Sequence, residues 1–77
     1  MVHKVGNIYS VGINNRIMLC QPDVKEPNKV VAMKLNGWPW HYMLTVDDPN
    51  NISEKEFQNL ILFKDWSYVG TYKNINL

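Results

Sequence analysis

The chain has one cysteine, Cys20, and one alanine, Ala32, in 77 residues. A lone thiol closes no intrachain disulfide, so the staples of small secreted domains are excluded, and an intracellular, cytoplasmic setting is expected. Scarce alanine disfavours an all-helical fold. No apolar run approaches the roughly 20 residues of a membrane span, and Met1-Val2-His3-Lys4-Val5-Gly6 lacks the apolar core of a signal peptide. No membrane association is therefore expected. Neither sign of charge dominates: eight basic and seven acidic residues leave +1, far from the basic excess of a general nucleic-acid binder. The four glycines are scattered and build no phosphate cradle.

The chain is instead 45% hydrophobic, with three Trp, four Tyr and two Phe, too apolar for a disordered segment. Residues 1–77 are expected to form a single domain. A domain of this size buries only about 60 to 65 per cent of its unfolded surface and often gains burial by oligomerising, so a homodimer is expected. Charge is uneven: residues 1–34 hold five basic against two acidic residues, and residues 35–77 hold three against five. Such a dipole can orient a partner or a second copy.

Alternating strands and turns run from end to end. The pattern predicts strands over 7–13, 16–21, 29–35, 38–46 and 66–72, with Asn14-Asn15 turning the first pair. Asn36-Gly37 is the strongest short hairpin signal and turns the third strand into the fourth, while Pro22 to Asn28 forms a loop. On the fourth strand Trp40, Tyr42, Leu44 and Val46 share one face and His41, Met43 and Thr45 the other. On the fifth, Trp66, Tyr68 and Tyr72 oppose Ser67, Val69 and Thr71. A helix is predicted over 53–62, because Ser53 and Glu56 have capping-box spacing and Ile52 and Phe57 that of a hydrophobic staple. Phe57, Leu60 and Ile61 then form its buried stripe, with Phe57 against the Trp40, Tyr42 and Leu44 face. The expected fold is mainly β (β-rich α+β): a small five-stranded SH3-like barrel, or a curled antiparallel sheet, with one short helix between strands four and five.

The run Val5-Gly6-x-Ile8-Tyr9, Leu19-Cys20-Gln21, Val31-Ala32-Met33-Lys34-Leu35-Asn36-Gly37-x-x-Trp40 and Asn51-Ile52-Ser53-x-x-x-Phe57 resembles short, uncharacterised SH3-like β-barrel proteins of tailed phages and prophages. It spans about three quarters of the chain and consists mostly of turn and core residues; the Trp38-Pro39 insertion departs from their spacing. The resemblance implies a small barrel and a phage accessory or anti-defence role in the host cytoplasm, and it carries over no site residues.

Residues able to catalyse occur without partners at diagnostic spacing. Ser53 has a capping position, Cys20 lies within a predicted strand as a small hydrophobe, and His3, His41 and Cys20 lack zinc-ligand spacing. Asp47-Asp48-Pro49-Asn50-Asn51 lacks the order of a calcium loop and reads as a turn into the helix. Glu54 and Glu56, two apart on a helix, do not face each other. No enzyme activity, metal or cofactor is expected. The surplus is aromatic, and interfaces favour Trp, Tyr and Arg. The expected function is a binding module that docks on a host protein through Trp38, Trp40, His41 and Tyr42. The alternative is capture of a nucleotide or single-stranded nucleic acid, with bases stacked on Trp or Tyr and phosphates met by Arg16, Lys34 or His41.

Overall fold

The computed structural model describes residues 1–35 and 41–72, with His41 described by its backbone alone. Five antiparallel strands form one sheet: β1 (Asn7–Val11), β2 (Asn15–Cys20), β3 (Lys29–Lys34), β4 (His41–Thr45) and β5 (Trp66–Thr71), with helix α1 (Glu54–Ile61) between β4 and β5. The expected fold class is present. The order across the sheet is β4-β3-β2-β1-β5, so the last strand returns to lie beside the first. Among the described residues the edges β4 and β5 do not pair with each other. The predicted Asn36-Gly37 turn, Trp38, Pro39 and Trp40 lie outside the described residues.

Strand alternation gives the sheet two faces. Tyr9 and Val11 of β1, Ile17 and Leu19 of β2 and Val30 and Ala32 of β3 point inward, where Val46, Ile52 and the helix residues Phe57, Leu60 and Ile61 close the core. The helix forms where its local code places it. The Ser53 hydroxyl accepts from the Glu56 N–H, and the Glu56 carboxylate accepts from the Ser53 N–H, while Ile52 and Phe57 are both buried, as a staple requires. The Asp48 turn leads into it: its carboxylate accepts from Asn50 N–H and its carbonyl from Asn51 N–H.

Two expectations are corrected. Strand β1 ends at Val11, not Ile13. Val11 pairs with Asn15, and Gly12 and Asn14 take positive φ at the two ends of a three-residue loop, the conformation for which Gly and Asn are the cheapest residues. Ile13 is left at the tip, 84% exposed. Along β5 strict alternation fails at a bulge: Ile8 pairs with Gly70 and Tyr9 with Tyr68, so Val69 has no opposite. One extra residue inverts the pattern beyond it, which brings Thr71, not Tyr72, to the face of Trp66 and Tyr68. Phe57 meets the rings of His3, Tyr9 and Trp66, and Leu44 of β4 packs against the same core. Backbone bonds from Ile52 N–H to His3 and from Val5 N–H to Pro49 lay the N-terminal segment beside the start of the helix.

Candidate functional site

Inside, a chain of polar groups crosses the core. Asn7 Nδ2 lies 3.0 Å from the Val2 carbonyl, which only accepts, so the amide orientation is fixed. Its second hydrogen goes to the Tyr9 hydroxyl at 2.9 Å, and Asn7 Oδ1 accepts from Thr71 Oγ1 at 2.9 Å. Thr71 in turn accepts from the Tyr68 hydroxyl at 2.6 Å. Tyr9, already an acceptor from Asn7, donates its own hydrogen to His3 Nδ1 at 2.7 Å. The neutral imidazole then carries its hydrogen on Nε2 and gives it to Glu54 Oε1 at 2.7 Å. Every donor points the same way, from Tyr68 through Thr71 to Asn7, and from Asn7 through Tyr9 and His3 to a carboxylate. No buried side-chain nitrogen or oxygen among the described residues lacks a partner.

Aromatic rings hold this chain in place. His3 stacks face to face on Phe57, with centroids 3.7 Å apart and planes 4° from parallel. Trp66 meets His3, Tyr9 and Phe57 edge-on, the geometry ring quadrupoles favour. Carboxylate, imidazole and hydroxyl thus stand in the order of a hydrolase relay. The hydroxyl end is sealed, however: Tyr9 is fully buried, and burial, opposed in part by the Asn7 hydrogen bond, pushes its pKa up to about 12. It keeps its proton and touches no solvent, so the arrangement ties the N-terminal segment to α1 and offers no nucleophile.

The outer face differs. Ser67, Ser10 and Arg16 form one row across β5, β1 and β2, which Leu35, just past the end of β3, extends through its N–H to the Arg16 carbonyl. Gly70, Ile8, Met18 and Met33 form the next, and Cys20, Val31 and Met43 a third. Met18 and Val31 are buried although they belong to this face, and Met33, Met43 and Leu35 are 44%, 49% and 47% exposed. A groove of about 350 Å³ opens here, lined by Val5, Met18, Leu19, Cys20, Gln21, Pro22 and Met33. A second hollow of about 330 Å³ is lined by Ser10, Asn14, Arg16 and Leu35. Burial raises the Cys20 thiol above its ordinary pKa, which leaves it protonated and weakly reactive.

The expected site residues scatter over this frame. Arg16 lies opposite Ser10 on the outer face, whereas Lys34 pairs with buried Ile17 and belongs to the inner one. Tyr42 pairs with buried Ala32, also on the inner side, and is exposed. The backbone of His41 pairs with Met33. Trp38 and Trp40 lie outside the described residues. Sequence reasoning overlooked His3 and Tyr9 as partners, since they meet Glu54 across 51 residues. The one readable sign was Asn7, a polar residue in phase with the core residues Tyr9 and Val11. Comparison with known protein families, curated proteins and solved structures found no match. No helix of the described residues is long and apolar enough to cross a membrane.

Proposed function

We propose that the chain is a non-catalytic binding module that docks a partner protein on the outer face of its sheet. The observation that carries this reading is the methionine groove. Met33 and Met43 stand half exposed over buried Met18 and Val31, an apolar surface on a domain that already has a complete core on its other face. Unbranched, polarisable methionine adapts to varied partner shapes, and contiguous exposed apolar surface marks interaction sites. Two features support the absence of catalysis: the relay inside ends in a sealed phenol, and the half-buried Cys20 holds its proton.

Trp38, Trp40 and His41 belong to the same proposal, because in sequence they fall between Met33 and Met43, whereas Tyr42 pairs with Ala32 on the inner side of the sheet and stands apart from the docking face. A host protein is the partner that the resemblance to phage accessory proteins implies. Nucleotide capture draws less support, since Arg16 and Lys34 point to opposite faces of the sheet. Selection from a displayed random peptide library, with the wild type and with Met33→Lys plus Met43→Lys as baits, tests the docking face. An apolar motif enriched by the wild type and lost with the variant is expected. No enrichment, or the same motif from both baits, refutes the reading. Light scattering on the two proteins identifies the homodimer case: a mass above 9.0 kDa that the variant abolishes gives this face to a second copy.

A further inference from the structure

We infer that Gly70 is the seat of an aromatic ring brought by the partner, a ring that lies on the bare backbone of β5 beside Tyr72 while the segment carrying it crosses the sheet into the methionine groove. The inference rests on the docking reading above and adds the partner's chemistry: an uncharged segment with an aromatic side chain.

Gly70 is a glycine that the fold does not require. Unlike Gly6 and Gly12 it has no positive φ, so the bulge beside it makes no use of the left-handed freedom of glycine. Space does not demand it either. A Cβ built on Gly70 meets no atom of the described residues within 4 Å beyond its chain neighbours. Glycine inside a strand weakens it and often marks the close approach of a ligand or another backbone, whereas threonine or valine suits the pleat. A bare glycine on an edge strand gains from an aromatic ring laid over it. Across from Gly70 stands Ile8, and no described ring reaches the open position, so the ring has to come with the ligand.

The surroundings fit such a ring. Thr71 points inward to Asn7, so Tyr72, whose N–H bonds the Gly6 carbonyl and continues the ladder, turns outward and is exposed. It stands two residues from Gly70, about 6.5 to 7 Å along the chain, where its ring meets the edge of one seated on the glycine, a pairing worth more than its area alone. Gly70, Ile8, Met18 and Met33 lie in one row. Strand spacings of about 4.8 Å carry this row from the bare backbone into the groove, a distance that an extended segment covers in about four residues. Charge on this face is already met from within the chain: Lys29 pairs with Glu26, and Arg16 has an interaction of its own. A neutral apolar segment therefore suits the face better than a nucleotide, whose phosphate calls for an unpaired cation.

The test joins Gly70→Thr to the library selection. Threonine suits a strand and enters open space, so the thermal melt of this variant is expected to be unchanged or higher; a lower melt shows that the chain itself needs the glycine and overturns the inference. The wild type is expected to enrich a motif with Trp, Tyr or Phe about four residues from an aliphatic side chain. A synthetic peptide of that motif is expected to bind at least about tenfold more weakly to Gly70→Thr, the worth of one well-packed ring, while the same peptide with its ring replaced by alanine binds both proteins alike. A motif that depends on Met33 and Met43 but carries no ring, or that Gly70→Thr leaves unweakened, overturns this inference and leaves the docking face standing. No motif dependent on those methionines overturns both. ATP or an oligothymidylate bound in place of any peptide and lost in Gly70→Thr gives the seat to a base, and a mass above 9.0 kDa that Gly70→Thr abolishes gives it to a second copy; either result overturns the inference.

Discussion

The same strands build two unlike surfaces. On β1, Asn7, Tyr9 and Val11 turn inward while Ile8 and Ser10 turn outward; on β2, Ile17 and Leu19 oppose Arg16, Met18 and Cys20. Inside, rigid rings lie at defined angles and each polar atom has its partner. Outside, flexible thioethers surround a groove and a guanidinium faces a hollow. A fully partnered polar chain specifies one arrangement, because any reversal leaves a donor facing a donor in low dielectric. A methionine surface specifies little and accommodates much. On the docking reading, stability and recognition are divided between odd and even positions of one strand.

The comparison breaks most visibly at Tyr9. Tyr9→Phe keeps the ring contacts but removes the partner of both His3 Nδ1 and an Asn7 hydrogen. Two buried orphaned groups are expected to cost about 2 to 5 kcal/mol together, read as a fall in the urea midpoint at unchanged m-value. Alkaline pH probes the same hydroxyl without mutation. Below the ordinary tyrosine pKa of 10 both states hold the proton and stability is complete. Between there and about 12 the unfolded chain releases it while the folded one does not, so stability falls as pH rises. The loss levels off near 3 kcal/mol, and in Tyr9→Phe this component is absent. The smallest effect belongs to the wet end of the chain. Glu54 is 72% exposed, and in Glu54→Ala water takes over the His3 Nε2 hydrogen, so a loss below about 1 kcal/mol is expected, measured in the same denaturation series. A loss as large as that of Tyr9→Phe shows that the chain acts as one unit and not as a buried middle with a solvated end.

Legibility in the sequence followed the range of each interaction. Ser53, Glu56, Ile52 and Phe57 lie within six residues, and their code set the helix to within a residue at either end. The inner stripe Ile17, Leu19 and the stripe Phe57, Leu60, Ile61 followed from strand and helix periods. Ile13 was misplaced because period two continues through it, while the backbone obeys the positive φ of Gly12 and Asn14. The bulge at Val69 depends on what lies opposite in β1, which no local pattern encodes. His3 carries no periodic signal, and its partners Tyr9, Phe57 and Glu54 are assembled only by the fold. Of the residues expected to bind, Arg16 was visible as a cation, but its separation from Lys34 emerged only with register. The methionine face went unremarked because methionine in a strand reads as core.

The strand order carries a consequence for how the chain matures. Synthesis runs from the N-terminus, so Asn7 and Tyr9 leave the ribosome before Phe57 and Trp66, yet Asn7 meets Thr71 across 64 positions and His3 meets Glu54 across 51. The meander of β1 to β4 assembles from neighbours, while the inner side of β1 stays wet until Phe57 and Trp66 have been made. Such long-range closure slows folding relative to a chain of local contacts. Strand β1 is thereby made well before the residues that cover it, and a nascent chain stalled before α1 and β5 leaves Tyr9 and Val11 open to whatever chaperone stands at the tunnel exit.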